Sequence, residues 1–416
     1  MLIAQRSAAF AVVAIFAAAA PLGGCGTLGG TPNPAPNTLT IYSSLPLQGP
    51  DHDRQLQIVD GEKLALAQAG GRIGRFHVGL VSLDDADAAV GTWTPAATSQ
   101  AARVAAQDKT AIAYIGDFDS AATAISLPLI NGAGILQISP ASPYVGLSQA
   151  DPNDGSGEPD RYYPTGKRTF GRLVPSDAVE AKAMVRFART LGVRKLFVLD
   201  DLDVFNANVA TEVAKLAPSS GITVAGQLFV DTRLGATAAD YQRTAASVAA
   251  QQPDAVLLGA VPDAGAAALW SALHTALPGA KLLAASTLAA PSFLHAIGPA
   301  AASTYVTSPA LEPRSYPPAA QQVLRGYRSI FGVPGTPYAL YGYEAMRLAL
   351  DLIREAGRHG GDQRSIVRAF FRVRNRDSVL GRYSIQPSGE PTLANLAGYR
   401  VDAGGRLHLI RALSGP

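Results

Sequence analysis

The stretch AIAYIGDFDSAATAISLPLINGAGILQI, residues 111–138, reads as strand, helix, strand. AIAYIG at 111–116 is a short apolar run closed by a glycine. SAATAISLPLIN at 120–131 carries helical spacing, and GILQI at 134–138 is a second short apolar run entered through glycine. Apolar runs of that length between turn signals suit strands buried on both faces. A helix linking two such strands makes them a parallel pair.

Working outward, the pattern repeats on both sides. LTIYSSL at 39–45 and FHVGLVSL at 76–83 read as strands, and DGEKLALAQAGG at 60–71 as a helix stopped by Gly70-Gly71. Residues 95–107 read as a further helix. The polar run DPNDGSGEPDRYYPTGKR at 151–168 reads as a long surface loop, after which the alternation restarts. Helix 177–191 places Val179, Met184, Phe187 and Leu191 on one stripe. Strands follow at 195–200, 222–229, 254–259 and 281–285, with helices at 206–217, 238–251 and 263–277 between them. Late helices at 317–331, 338–357 and 362–373 precede short strands at 381–385 and 398–402. Two successive α/β units predict two lobes, each a parallel sheet flanked by helices. Ligands in such sheets sit beyond the carboxyl ends of the strands, so a cleft between the lobes is the expected site.

The bulk numbers narrow the function. Of the 416 residues 48% are hydrophobic and 16% charged, a composition with ample material for a core. The net charge is only +3 and the basic residues are scattered, which speaks against a nucleic-acid partner. The six histidines, at 52, 77, 274, 295, 359 and 408, have no metal-ligand spacing. No nucleophile elbow and no phosphate loop is present, and the glycines at 24, 26 and 29 that fit G-x-G-x-x-G lack the strand and helix that motif needs. The expectation is a binder with no cofactor and no metal, not an enzyme. Two acidic pairs end strands, Asp84-Asp85 and Asp200-Asp201. Adjacent residues on a strand point to opposite faces, which favours turn capping over paired acid–base chemistry.

The amino-terminal residues carry their own reading. Arg6 precedes the apolar run AAFAVVAIFAAAA at 8–20, which is shorter than the ~20 residues of a membrane span. LGGC at 22–25 follows, and Cys25 is the only cysteine of the chain. Small residues before a cysteine resemble a bacterial lipobox. The expectation is a signal peptide at 1–24, lipidation of Cys25, a Gly- and Pro-rich tether at 25–37, and a place outside the cytoplasm on a membrane surface.

Several stretches together resemble the branched-chain amino-acid-binding proteins, the type I periplasmic binding proteins of ABC importers. They are IAYIGDFDSAATAISLPLINGAGILQISPASP at 112–143, DGEKLALAQAGGRIG at 60–74, VSLDDAD at 81–87, YYPTGKRTFGRLVPSDA at 162–178, RKLFVLDDLDVF at 194–205 and VLGRYSIQPSG at 379–389. The resemblance covers roughly residues 38–405. It implies two discontinuous lobes, 38–173 with 310–381 and 174–309 with 382–416, and three crossovers near 174, 309 and 382. It implies an amino acid or related small carboxylate as ligand and a membrane permease as partner. A sensor or regulator acting on a membrane partner is the alternative use of the same fold.

The resemblance also points to residues. Ser120 matches the serine that binds the ligand's carboxylate, and a serine at a helix start is equally a cap. Ala141 matches a backbone contact. Pro143 stands where a hydroxyl is expected, with Ser142 as its substitute. Phe205 matches an aromatic that closes over the ligand, a position a core phenylalanine fills equally well. Tyr338 and Arg54 match positions lining the first-lobe pocket. Ser286 falls where the family places an acid for the ligand's ammonium, with Asp201, Asp263 and Asp119 as candidate replacements.

Overall fold

The structure, a computed structural model, describes residues 37–150, 157–232 and 235–413. Cys25, the segment read as signal peptide and all of the tether but Asn37 lie outside them.

In chain order the first elements are β1 (Thr38–Leu45), α1 (His52–Gln68), β2 (Arg72–Ile73), β3 (Phe76–Asp84), β4 (Ala86–Asp87), β5 (Thr92–Trp93), α2 (Pro95–Gln107), β6 (Ala111–Gly116), α3 (Ser120–Gly132), β7 (Leu136–Ser139) and β8 (Phe170–Arg172). The middle of the chain forms α4 (Asp177–Thr190), β9 (Lys195–Asp200), α5 (Val204–Leu216), β10 (Thr223–Phe229), α6 (Ala238–Ala250), β11 (Ala255–Gly259), α7 (Ala264–Ala276), β12 (Lys281–Ala284), α8 (Pro291–Ala296) and β13 (Thr304–Ser308). Then come α9 (Pro318–Phe331), α10 (Pro337–Ala356), α11 (Gln363–Phe370), β14 (Arg376–Ser378), β15 (Gly381–Tyr383), β16 (Ala397–Val401) and β17 (Leu407–Ala412).

Two large sheets result, one per lobe. The first has the order β2-β3-β1-β6-β7-β8, with β3, β1, β6, β7 and β8 mutually parallel. The second has the order β10-β9-β11-β12-β13-β16-β17, parallel as far as β13 and antiparallel beyond it. The fold is the two-lobed type I periplasmic binding fold. Its central strands are buried along their whole length, as AIAYIG and AVLLG require.

The chain changes lobe three times. It leaves the first sheet after Arg172 and returns after Ser308, where α9, α10 and α11 pack on the first lobe. The third passage falls later than residue 382. Gly389 accepts the Arg172 N–H at 3.3 Å, and Ile385 and Leu393 stay in the first-lobe core. Leu396 already packs on Phe187 of the second lobe.

Three further readings change. Helix α1 begins at His52, two turns before residue 60, because Gln55, Ile58 and Val59 are buried on one face of a polar-looking segment. The stretch 157–168 is not wholly surface: Tyr162 and Tyr163 are buried with Leu127, Tyr144, Leu147 and Phe170. Strands β8, β13 and β17 add to those the sequence predicts.

Helices α1 and α10 meet backbone to backbone. A Cβ on Gly61 would stand 2.1 Å from the Ala339 carbonyl, and one on Gly342 would stand 2.0 Å from that of Ile58. Only glycine permits this approach. It fixes the first turns of both helices, and so Arg54 and Tyr338, on one wall of the cleft.

Candidate functional site

Strand ends and helix starts from both lobes converge on the cleft. From the first lobe come the loop Asp117–Asp119, the loop 140–144, and the first turns of α1 and α10. From the second come the loops after β9, β11 and β12. The amino-terminal ends of α3 and α5 approach each other, and the charges of their N-caps, Asp119 and Asp203, interact across the gap. The lobes also touch through Asp51 and Ser292. The Ser292 backbone N–H and hydroxyl donate to the two Asp51 carboxylate oxygens at 3.1 and 2.6 Å.

Ser120 is the first residue of α3, and Asp119, not Ser120, is its N-cap. The Ser120 hydroxyl accepts the Tyr144 N–H at 3.2 Å, tying the helix start to the neighbouring loop. In that loop the N–H groups of Ala141 and Ser142 donate to the Ser139 hydroxyl at 3.1 and 2.8 Å. The Ser142 hydroxyl donates to the Asp117 carbonyl at 2.9 Å and meets the Thr123 hydroxyl at 2.6 Å. Ser120, Ala141 and Ser142 are thus brought together, but Ser142 is fully buried and braces the loop.

Phe205 is the second residue of α5. It is 2% exposed and packs with Met184, Val198, Val209 and Val213 in the second-lobe core.

Arg54 and Tyr338 do share a wall. The Arg54 guanidinium lies over two rings, 5.3 Å from the Phe118 centroid and 5.8 Å from that of Tyr338. Phe118 was not singled out in the sequence, although it directly precedes Asp119 and Ser120. Asp119 is pushed up to about 7, chiefly by burial and then by the charge of Asp203, against the opposing pull of Arg54.

At Ser286 an acid is present after all, supplied from elsewhere in the chain. Glu180 of α4 accepts the Ser286 N–H and hydroxyl, each at 2.7 Å, and the Thr307 hydroxyl at 2.6 Å. Burial raises its pKa. The candidate replacements have other work. Asp201 accepts the N–H groups of Asp203 and Val261 at 3.0 and 2.7 Å, and Asp263 caps α7 through the Ala266 N–H at 2.6 Å. No sequence pattern links residue 180 to residue 286, so only the fold reveals the pair.

Asp200 and Asp201 both accept backbone N–H groups of the turn after β9, whereas Asp84 and Asp85 take different surroundings. Asp84 accepts the N–H groups of Leu47 and Ala86, both at 2.9 Å. Asp200 takes the Leu202 N–H at 3.2 Å. Asp85 instead turns inward and meets Asp117, and both are fully buried. The Tyr114 hydroxyl donates to Asp117 at 3.0 Å, Ser126 donates to its other oxygen, and Ser44 donates to Asp85 at 3.3 Å. Burial raises both carboxyls, and the neighbouring charge of Asp117 raises Asp85 further, under the 117–120 loop.

Residues 39–406 match the model of a family described as periplasmic binding protein. The chain belongs to the periplasmic binding protein family. Among solved structures, a leucine-binding protein of Thermotoga maritima is similar over 90% of this chain and 98% of its own, at 19% identity and a TM-score of 0.75. A branched-chain amino-acid transporter substrate-binding protein of Streptococcus pneumoniae, in complex with isoleucine, shares 16% identity over 90% of this chain and 98% of its own, with a TM-score of 0.70. An ABC-transporter solute-binding protein of R. palustris, in complex with benzoate, shares 15% identity over 91% of this chain and 96% of its own, also with a TM-score of 0.70. Among curated proteins no sequence matches the chain.

Proposed function

We propose that this chain is the substrate-binding component of an ABC importer and takes up a small carboxylate outside the cytoplasm. The observation that carries this reading is the cleft: two lobes joined by three passages, with helix starts converging between them and the Asp51–Ser292 contact bridging the gap. Such lobes close on a ligand by bending at the passages, and the closed form is what a permease recognises. Exposed N–H groups and the positive dipole end of a helix favour an anion, which supports a carboxylate near the start of α3.

Within that class we favour a ligand without an ammonium group. The three hydrogen bonds that Glu180 accepts from Ser286 and Thr307 leave it poorly placed to pair with one. Fold neighbours whose ligands are leucine, isoleucine and benzoate define the panel to screen. Among the described residues no helix is long and apolar enough to cross a membrane, so anchoring rests on Cys25.

A thermal-shift panel of aliphatic amino acids, their 2-oxo acids and benzoates tests the binding role. A ligand specific to the folded state raises the melting temperature, and no response across the panel would remove this reading. Cys25→Ala should leave unprocessed precursor and abolish fatty-acid labelling. Labelling equal to that of the native chain would overturn the anchor.

A further inference from the structure

We infer that Arg54 reads the acidic group of the ligand from inside an aromatic box, and that the ligand is therefore an aromatic carboxylate. This rests on the binding reading above and assigns its substrate class.

Three observations converge on Arg54. The first is its place. Asp51, one turn earlier, reaches Ser292 of the other lobe, and Asp119, whose charge acts on Arg54, lies opposite Asp203 of the other lobe. A side chain set between two groups that both reach across the cleft faces the cleft itself.

The second is its hydrogen bonding. The Arg54 side chain is only 11% exposed, and its Nε is buried with no hydrogen-bond partner among the described residues. The nearest carboxylate oxygen, on Asp51, is 4.0 Å from Nη2, beyond hydrogen-bond distance. That carboxylate is already engaged by Ser292. A buried guanidinium with an unused donor is costly unless something accepts from it. A carboxylate matches its planar fork with two parallel bonds.

The third is its surroundings. Phe118 and Tyr338 stand 6.1 Å apart, inclined at 39°, with the guanidinium over both. They hold the cation in place, and the half-buried rings leave apolar edges that suit a flat ring delivered with its carboxylate toward Arg54. Leu45, Ile58 and Val59 back the two rings and complete an apolar wall.

The test is calorimetry on the full chain with benzoate, benzamide and leucine. Benzoate should bind the native chain at least about tenfold more tightly than benzamide, which has the same ring and no charge. Arg54→Met, of similar length, should bind benzoate about thirtyfold more weakly, at an unchanged melting temperature of the free protein. Should that variant fail to fold, Arg54→Lys decides: it keeps the charge, loses the fork, and should cost about tenfold. Equal benzoate affinity in native and variant chains overturns the inference, as does binding of leucine without benzoate, and both outcomes leave the importer reading standing. No binding by any compound of this set or of the wider panel overturns both.

Discussion

Ser292→Ala isolates the contact that bridges the lobes. The substitution removes the 2.6 Å hydroxyl donation to Asp51 and leaves the 3.1 Å backbone donation in place. A hydrogen bond to a charged group contributes about 1.5–3 kcal/mol net. The Asp51 side chain is 12% exposed, so some screening applies and the lower end, about 1.5 kcal/mol, is appropriate. That is about tenfold in the ratio of closed to open forms. Apparent affinity scales with the fraction of closed protein, so a chain that is mostly open without ligand should bind about tenfold more weakly. The loss should appear as faster dissociation, because the contact forms only after the lobes meet. Stopped-flow displacement measures the dissociation rate, and small-angle scattering with and without ligand measures closure. Unchanged dissociation, with the same decrease in radius of gyration as the native chain, would refute the idea that Asp51 and Ser292 stabilise the closed form.

Gly342→Ala drives a methyl group into the Ile58 carbonyl at 2.0 Å, and should cost at least about 1–3 kcal/mol as a lowered thermal midpoint. Glu390→Ala leaves the fully buried Arg172 without its 3.4 Å carboxylate partner, so urea denaturation should show a loss of about 3–5 kcal/mol. Burial in the first-lobe core pushes Glu62 up to about 8. A carboxyl raised in the folded state contributes stability that is whole below its unfolded value and is lost as pH rises toward the folded one. The urea midpoint should therefore fall between pH 5 and pH 9 by more in the native chain than in Glu62→Gln. Equal slopes would contradict this.

The strands and helices that repeat in register were legible because each carries a complete local signal. AIAYIG and AVLLG are apolar from end to end, KLFVLD has an apolar centre between a lysine and an aspartate, and Gly70-Gly71 marks a helix stop with left-handed backbone at both residues. What escaped reading lacked such a signal. The strand Phe170–Arg172 is three residues long, and its arginine is fully buried only because Glu390 lies against it. The start of α1 looks polar because its apolar face waits for α10, nearly three hundred residues on. The site divides the same way. The family resemblance singles out Ser120 at a helix start, whereas the Glu180–Ser286 and Asp85–Asp117 proximities exist only between distant segments. Phe205 went to the core because the residue type alone does not say which side of a helix start it takes.

The interrupted first lobe dictates an order of assembly. The second-lobe elements β9 through β13 form one unbroken run of chain, from Lys195 to Ser308, with each strand beside a near neighbour in sequence. Helix α1 must wait for α10 before its glycine face is covered, so the earliest residues to emerge are among the last to be buried. Contacts close in sequence form sooner than distant ones, and the second lobe should nucleate first. Pulse-labelled hydrogen exchange during refolding would show protection arising at β9 and β11 before β1 and β6. An amino-terminal segment that cannot finish folding on its own stays open until the carboxyl-terminal helices have been made.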